Sequence, residues 1–257
     1  MLLIQGLLEA LFHQHVLVQL AIFLAVGLSL YALACGFLVA CNRRQIKPAE
    51  WIPVAPFATS ITTVFGLFLA FHAANIWGNI ARAERAHTAA EMAIRRLDEA
   101  LGPSQLNLPQ FRQELHRYVG YVAKDEWRKG RNRAVSPRAT ASFTEMNAMA
   151  LAAAGQLPSP AAGQLIGLLN EIGHSRADKT WLSANHTEAS SWLIVFALGV
   201  LAHIAIAAVH FDRPKAGFVA LAIFASTTIV AYTALGMIDD PYRYLDSLDP
   251  SHKVGTD

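Results

Sequence analysis

Chemistry in this sequence would have to come from polar side chains inside long apolar stretches, because an unpartnered donor or charge is costly in hydrocarbon. His72, His203 and His210, with a few amides and hydroxyls, meet that description. Between Pro53 and Trp77, Thr59, Thr62 and Thr63 lie near one end, Phe65 and Phe68 follow, and His72, Asn75 and Asn79 recur at i, i+3 and i+7. One helical face would then read polar, apolar, polar. If several copies of the chain met around an axis, that face would line a hydrated path with Phe65 and Phe68 as its constriction and His72 and Asn75 in the adjoining vestibule. The plainer alternative is that such Thr and Asn side chains hydrogen-bond neighbouring helices.

His203 and His210 are seven apart and share a face of a later apolar run. Paired axial haem ligands should sit at similar depth on different helices, yet His72 and His203 lie roughly 8 Å and 16 Å from the same ends of their runs at about 1.5 Å per residue. Packed neutral histidines are therefore expected, and no cofactor. No HExxH, Glu-x-x-His or carboxylate cluster suggests a metal. The sequence also lacks GxSxG, a P-loop and a Gly-rich dinucleotide turn, which argues against an enzyme. Arg128 to Arg133 form a basic stretch that would either contact anionic lipid or remain a solvated loop.

These residues need elements to hold them, and the composition says which. Of 257 residues, 54% are hydrophobic and only 16% charged, a membrane-type balance. Four runs, about 16–41, 53–77, 192–211 and 216–238, hold no Asp, Glu, Lys or Arg and are long enough for a helix to cross about 30 Å of hydrocarbon. Trp51, Trp77 and Trp192 stand at run ends, where indoles settle at the headgroup level. Leu38-Val39-Ala40-Cys41 has the shape of a lipoprotein cleavage box, but no Lys or Arg precedes a run far longer than a signal peptide's. Cys35 and Cys41 read as packing residues. Leu2 to Phe12 is apolar and too short to span.

Between Trp77 and Trp192 the composition changes, and most of the chain's 21 basic and 19 acidic residues lie there. The chain is thus expected to be an all-α membrane protein, with four transmembrane helices in two pairs and a helical soluble domain inserted between spans 2 and 3. The divisions fall at 1–77, 78–191, 192–238 and a tail, 239–257. Within the insert, Asn79–Leu101 reads as a helix continuing the second span and ended by Gly102-Pro103; Pro109–Lys129, with Phe111, Leu115, Tyr118 and Val122 on one stripe, Arg138–Ala154, and Gln164–Ala184, with Leu165, Leu168, Leu169, Ile172 and Trp181, read as three more. Both termini should share the domain's side. Lys and Arg at the span ends divide almost evenly between the two faces, leaving that side open. A net charge of +2 gives no sign of a nucleic-acid partner.

Several short motifs have a familiar arrangement: Phe65-Gly66-Leu67-Phe68-Leu69-Ala70-Phe71, then Asn75-Ile76-Trp77, then a helix with Ala83, Arg85 and Glu91. Downstream come Glu126-Trp127, Ser175-Arg176 and Asp240-Pro241-Tyr242. Together they resemble the bacterial bestrophin-like membrane proteins, a family similar at a distance to the bestrophin anion channels. The resemblance implies a bacterial inner-membrane protein assembling as a homo-oligomer, a pentamer in bestrophins, with the second span lining a pore for an inorganic ion. It implies a neck at Val64 and Phe68 or at Ile61, Phe65 and Phe68, with His72 and Asn75 beyond. Trp77, Arg85, Trp127, Arg176, Asp240 and Pro241 would couple the domain to the spans, and the domain would be cytoplasmic. The Arg-Trp-Trp that follows the bestrophin pore helix is replaced by Asn75-Ile76-Trp77, and no acidic cluster resembles the calcium clasp, so calcium gating is not carried over.

The leading expectation is an oligomeric ion channel embedded in a lipid bilayer. The alternative is a non-conducting membrane sensor or scaffold whose helical domain binds a protein partner.

Overall fold

The computed structural model describes residues 16–43, 55–126, 135–184, 189–240 and 242. Seven α-helices occur among them: α1 (Val16–Arg43), α2 (Ala55–Ala100), α3 (Pro109–Tyr121), α4 (Pro137–Ala154), α5 (Ser159–Ala184), α6 (Ala189–Val209) and α7 (Pro214–Ile238). A single π-helical turn, Val122–Glu126, extends α3. No strand occurs among the described residues. Trp51, Trp127, Pro241, the N-terminal apolar segment, the basic stretch from Arg128 to Arg133 and the tail beyond Tyr242 lie outside them.

The chain separates into two compact units, one within Met1–Trp77 and Thr187–Asp239, the other within Gly78–His186 and Asp240–Asp257. The first contains α1, the first half of α2, α6 and α7. Four helices, Leu17–Arg43, Pro56–Ala100, Ser190–Val209 and Pro214–Ile238, are long and apolar enough to cross a membrane. In this unit α1 packs on α6 and α7, and α6 on α7. Their approach is set by glycines: a Cβ on Gly27 would run into Ile229, one on Gly236 into Phe23, and one on Gly217 would come within 2.8 Å of Leu38. Small residues at such crossings permit close backbone packing where hydrocarbon supplies no hydrophobic drive.

Aromatic rings fill the space between. Trp192 is fully buried, 5.9 Å from the Phe23 ring, 5.5 Å from Phe196 and 6.3 Å from Tyr232. Trp192, at the start of the Ser190–Val209 span, thus faces the interior of the unit. Its N–H donates to the Asp239 carboxylate at 3.3 Å, a partner inside the unit in place of an interfacial one. Trp77, by contrast, is 61% exposed.

The second unit packs the other half of α2 with α3, α4 and α5 around Leu97, Leu101, Leu115, Met146, Leu165 and Ile172. Local signals explain the boundaries. Asn107 turns the chain before α3 with φ of 52°, a conformation asparagine tolerates. Pro109 and Pro137 occupy first-turn positions where a missing N–H costs nothing. Ser136 caps α4, its hydroxyl accepting from the Ala139 N–H at 3.2 Å. Two sequence expectations shift: α5 begins at Ser159 instead of Gln164, because Ser159-Pro160 is itself a helix start, and the α3 helix gives way to the π turn at Val122.

Candidate functional site

α2 sorts its residues by direction. At about 100° per residue, Val64, Phe68, Phe71 and Asn75 fall within an arc of roughly 60°, whereas Phe65, His72 and Ile76 centre about 90° away. The first group is exposed, Phe68 by 41%; Phe65 and His72 are 5% and 1% exposed. Ser60, which the residue types alone did not single out, lies on the exposed stripe and bonds the Pro56 carbonyl at 2.9 Å. Ile61 is half-buried between the two faces. Of the expected lining residues, Val64, Phe68 and Asn75 therefore stand together, and Phe65 and His72 turn toward their own unit.

Phe65 packs edge-on against Phe224 at 5.7 Å and Tyr232 at 6.4 Å. His72 Nδ1 is 2.9 Å from the Ser191 hydroxyl, and its ring lies edge-on to Trp192 at 4.4 Å. The Nε2 atom makes no hydrogen bond to a described residue. His72 is buried and Asn75 exposed, so the two lie on different faces of α2. His203 and His210 each bond a carbonyl one turn back on their own helix, Gly199 at 2.7 Å and Ile206 at 2.9 Å, the packed state expected of them. Thr62 likewise bonds the Ala58 carbonyl at 3.0 Å. No group of three metal-binding side chains occurs among the described residues.

In the helical unit two motifs far apart in sequence meet. Arg176 of α5 forms an ion pair with Glu126 of the π turn, its Nε 3.4 Å from the second carboxylate oxygen. The same guanidinium reaches the Thr140 hydroxyl at 3.1 Å and lies 5.9 Å from the centre of the Tyr118 ring. Glu126 also accepts from the Ser136 N–H at 2.9 Å. Thus one buried carboxylate joins the π turn, the cap of α4 and the middle of α5. Burial pushes the Tyr118 hydroxyl pKa up, and pushes the neighbouring Lys179 amine down to about 8 against the favourable charges of Glu126 and Glu91. Ser136, Thr140, Tyr118 and Lys179 carried no separate signal in the sequence.

The other coupling candidates are placed individually. Arg85 is exposed and donates to the Ala81 carbonyl at 3.1 Å. Asp240 is buried and accepts from the Tyr242 N–H at 3.0 Å, and Tyr242 packs on Ala83 and Leu182. At the far end of α2, Arg112 grips Asp98 with two bonds of 2.8 Å and His116 adds a third at 2.7 Å; the arginine chiefly holds the Asp98 pKa below the usual carboxylate range.

This helical architecture is shared with solved bacterial bestrophin homologues. One from Klebsiella pneumoniae, a single-residue variant, superposes with a TM-score of 0.66 at 15% identity over 93% of this chain and 96% of its own. A second variant from the same organism gives 0.61 at 16% identity, covering 88% and 91%. A bestrophin-like domain model matches residues 28–243, most of the sequence, and the chain belongs to the bestrophin-like family. No match was found among curated proteins.

Proposed function

We propose that this chain is a subunit of an oligomeric, multi-pass ion channel of a bacterial inner membrane, with α2 lining the pore. Four spans in two pairs would carry the inserted helical domain, and both termini would lie on the domain's side. Five subunits, the bestrophin number, would place Val64 and Phe68 at the neck and Phe71 and Asn75 below it. The observation that carries this reading is the exposed stripe of α2, polar at Ser60, apolar and aromatic through Val64, Phe68 and Phe71, and polar again at Asn75. The exposed large apolar side chains of α1 are mainly leucines such as Leu17, Leu24 and Leu28, which suit lipid. A stripe that changes polarity along its length suits water at its ends and a dewetting constriction between them. Trp77, Arg85, Trp127, Arg176, Asp240 and Pro241 are proposed to relay motion between the domain and the spans.

Native mass spectrometry of the detergent-solubilised protein, followed by ion flux from proteoliposomes, tests the reading. An oligomer that conducts is expected. A monomer, or liposomes that stay tight, overturns it. If partner binding persists without conduction, the sensor or scaffold reading takes its place.

A further inference from the structure

Lysines almost always keep the ammonium in water, yet Lys179 of α5 is only 8% exposed. It lies in the helical unit, where α5 meets the second half of α2 and the π turn. To this seam α2 brings Glu91 and, one turn earlier on the face of Ala83, the buried His87. The π turn brings Glu126, and α3 the Tyr118 hydroxyl, which feels both Glu126 and Arg176. From α4 the Thr140 hydroxyl meets Arg176, while Arg138 stays on the exposed side. Below them Tyr242, under the charges of Asp240 and Asp178, packs with Ala83 and Leu182.

The charges at the centre of this cluster do not balance when Lys179 carries a proton. Its least exposed members are Arg176, Lys179 and Glu126, two cations to one carboxylate. Glu126 is already shared between Arg176 and the Ser136 N–H, and Glu91, at the edge, is paired with Arg95 at 3.3 Å. A guanidinium keeps its proton, so Lys179 is the cation able to shed the surplus charge. Loss of water outweighs the attraction of Glu126 and Glu91 and brings its pKa down to about 8. Solvent is close by. A groove of about 730 Å³ runs along the same two helices, lined by Ala86 and Ala89 of α2 and by Ser175, Asp178 and Leu182 of α5. Asp178 is the sequence neighbour of Lys179, so parting α2 from α5 at this level admits water to the amine.

We propose that Lys179 is a proton-operated latch on this seam: the packed arrangement takes the neutral amine, and a bound proton favours one in which α2 and α5 part and water reaches the ammonium. A solvated lysine holds its proton up to about pH 10.4, so the parted arrangement binds that proton more tightly than the packed one. The bias toward parting is therefore complete below about pH 8 and is lost as pH rises from about 8 to about 10. Because α2 runs unbroken from Ala55 to Ala100, the latch bears on the helix that carries the exposed stripe, and it operates whether or not that stripe lines a pore.

Hydrogen exchange of the full protein in detergent from about pH 7 to about pH 9.5, corrected for the intrinsic acceleration of exchange by base, reads the parting on the amides of residues 83–91 and 175–182. Protection there is expected to increase about tenfold between about pH 8 and about pH 9.5, while that of α1 and α7 stays level. Burial pushes the Tyr118 and Tyr242 hydroxyls up and out of this window. Lys179→Met should show the higher protection at every pH, and Lys179→Arg, charged throughout, the lower. Protection of the wild-type seam that is flat or falls over this range overturns the proposal. So does a rise of the same size in Lys179→Met.

Discussion

Replacing Arg176 by methionine strikes the helical unit where its polar interactions converge. The wild-type guanidinium is 12% exposed and Glu126 only 1%, so the substitution leaves a carboxylate out of water with the Ser136 N–H as a hydrogen-bond donor at 2.9 Å. Breaking one partner of a buried pair costs about 3–5 kcal/mol, most of it the penalty on the charge left behind. Lys179 offsets part of this, since Glu126 also favours its charged form. The contact with the Tyr118 ring is lost as well, although the methionine retains some packing. The lower end, about 3 kcal/mol, is therefore expected, equivalent to roughly two orders of magnitude in an opening equilibrium. Hydrogen exchange of the full protein in detergent, read on the amides of α3, α4 and α5, should show protection falling about a hundredfold. Adding Glu126→Gln removes the stranded charge, so the double variant should recover part of that protection. A fall below about threefold for Arg176→Met, or a double variant worse than either single, would refute the reasoning.

Three further outcomes follow from contacts already described. Phe68→Ala should raise flux through proteoliposomes with little change in melting temperature. Phe65→Ala should lower that temperature, by less than the about 3–5 kcal/mol of a water-facing core because lipid is as apolar as the site it leaves; equal effects of the two on flux would contradict the assignment of faces. Gly199→Ala places a methyl against the Tyr232 hydroxyl, which donates to the Val195 carbonyl at 3.1 Å, and should cost about 1–3 kcal/mol by thermal unfolding in detergent, partly restored by Tyr232→Phe. For Asp98 the pKa is lower folded than unfolded, so the unfolded chain takes up the proton first as pH falls. Its stabilisation is complete above the ordinary carboxylate value and lost below it. Because the pair is partly solvated, the effect should be about 1 kcal/mol or less, and Asp98→Asn should flatten the stability profile in that acidic window.

The four apolar helices were legible because the requirement they meet is one-dimensional: enough consecutive residues without charge. The continuity of α2 past Trp77 was legible for a similar reason, since nothing between Asn75 and Ala100 breaks a helix. Start signals were less visible where an apolar stripe was the only guide, which is why α5 begins at Ser159-Pro160 and not at the first periodic leucine. The π turn at Val122–Glu126 left no trace in the sequence. It shifts the register of one turn, and only tertiary partners such as Arg176 and Ser136 reward the shift.

The side chains of α2 show where sequence reasoning reaches its limit. Phe65 and Phe68 are three residues apart, about 60° around the helix, so one broad apolar face accommodates both. Periodicity finds the face and leaves its phase free. What fixes the phase is the rest of the unit: Phe65 fits between Phe224 and Tyr232, and His72 is drawn in by Ser191 and Trp192, positions more than a hundred residues away. With those two turned inward, Val64, Phe68, Phe71 and Asn75 are left facing out together. The same dependence on distant partners governs Glu126 and Arg176, which are separated by fifty residues yet bonded. The family resemblance implies a coupling role for Arg176; in the structure it pairs with Glu126 as a strut of the helical unit. A role in relaying motion would then act through the stiffness of that strut, so that Arg176→Met and Phe68→Ala should disturb conduction in different ways, the first by altering its onset and the second by altering its size.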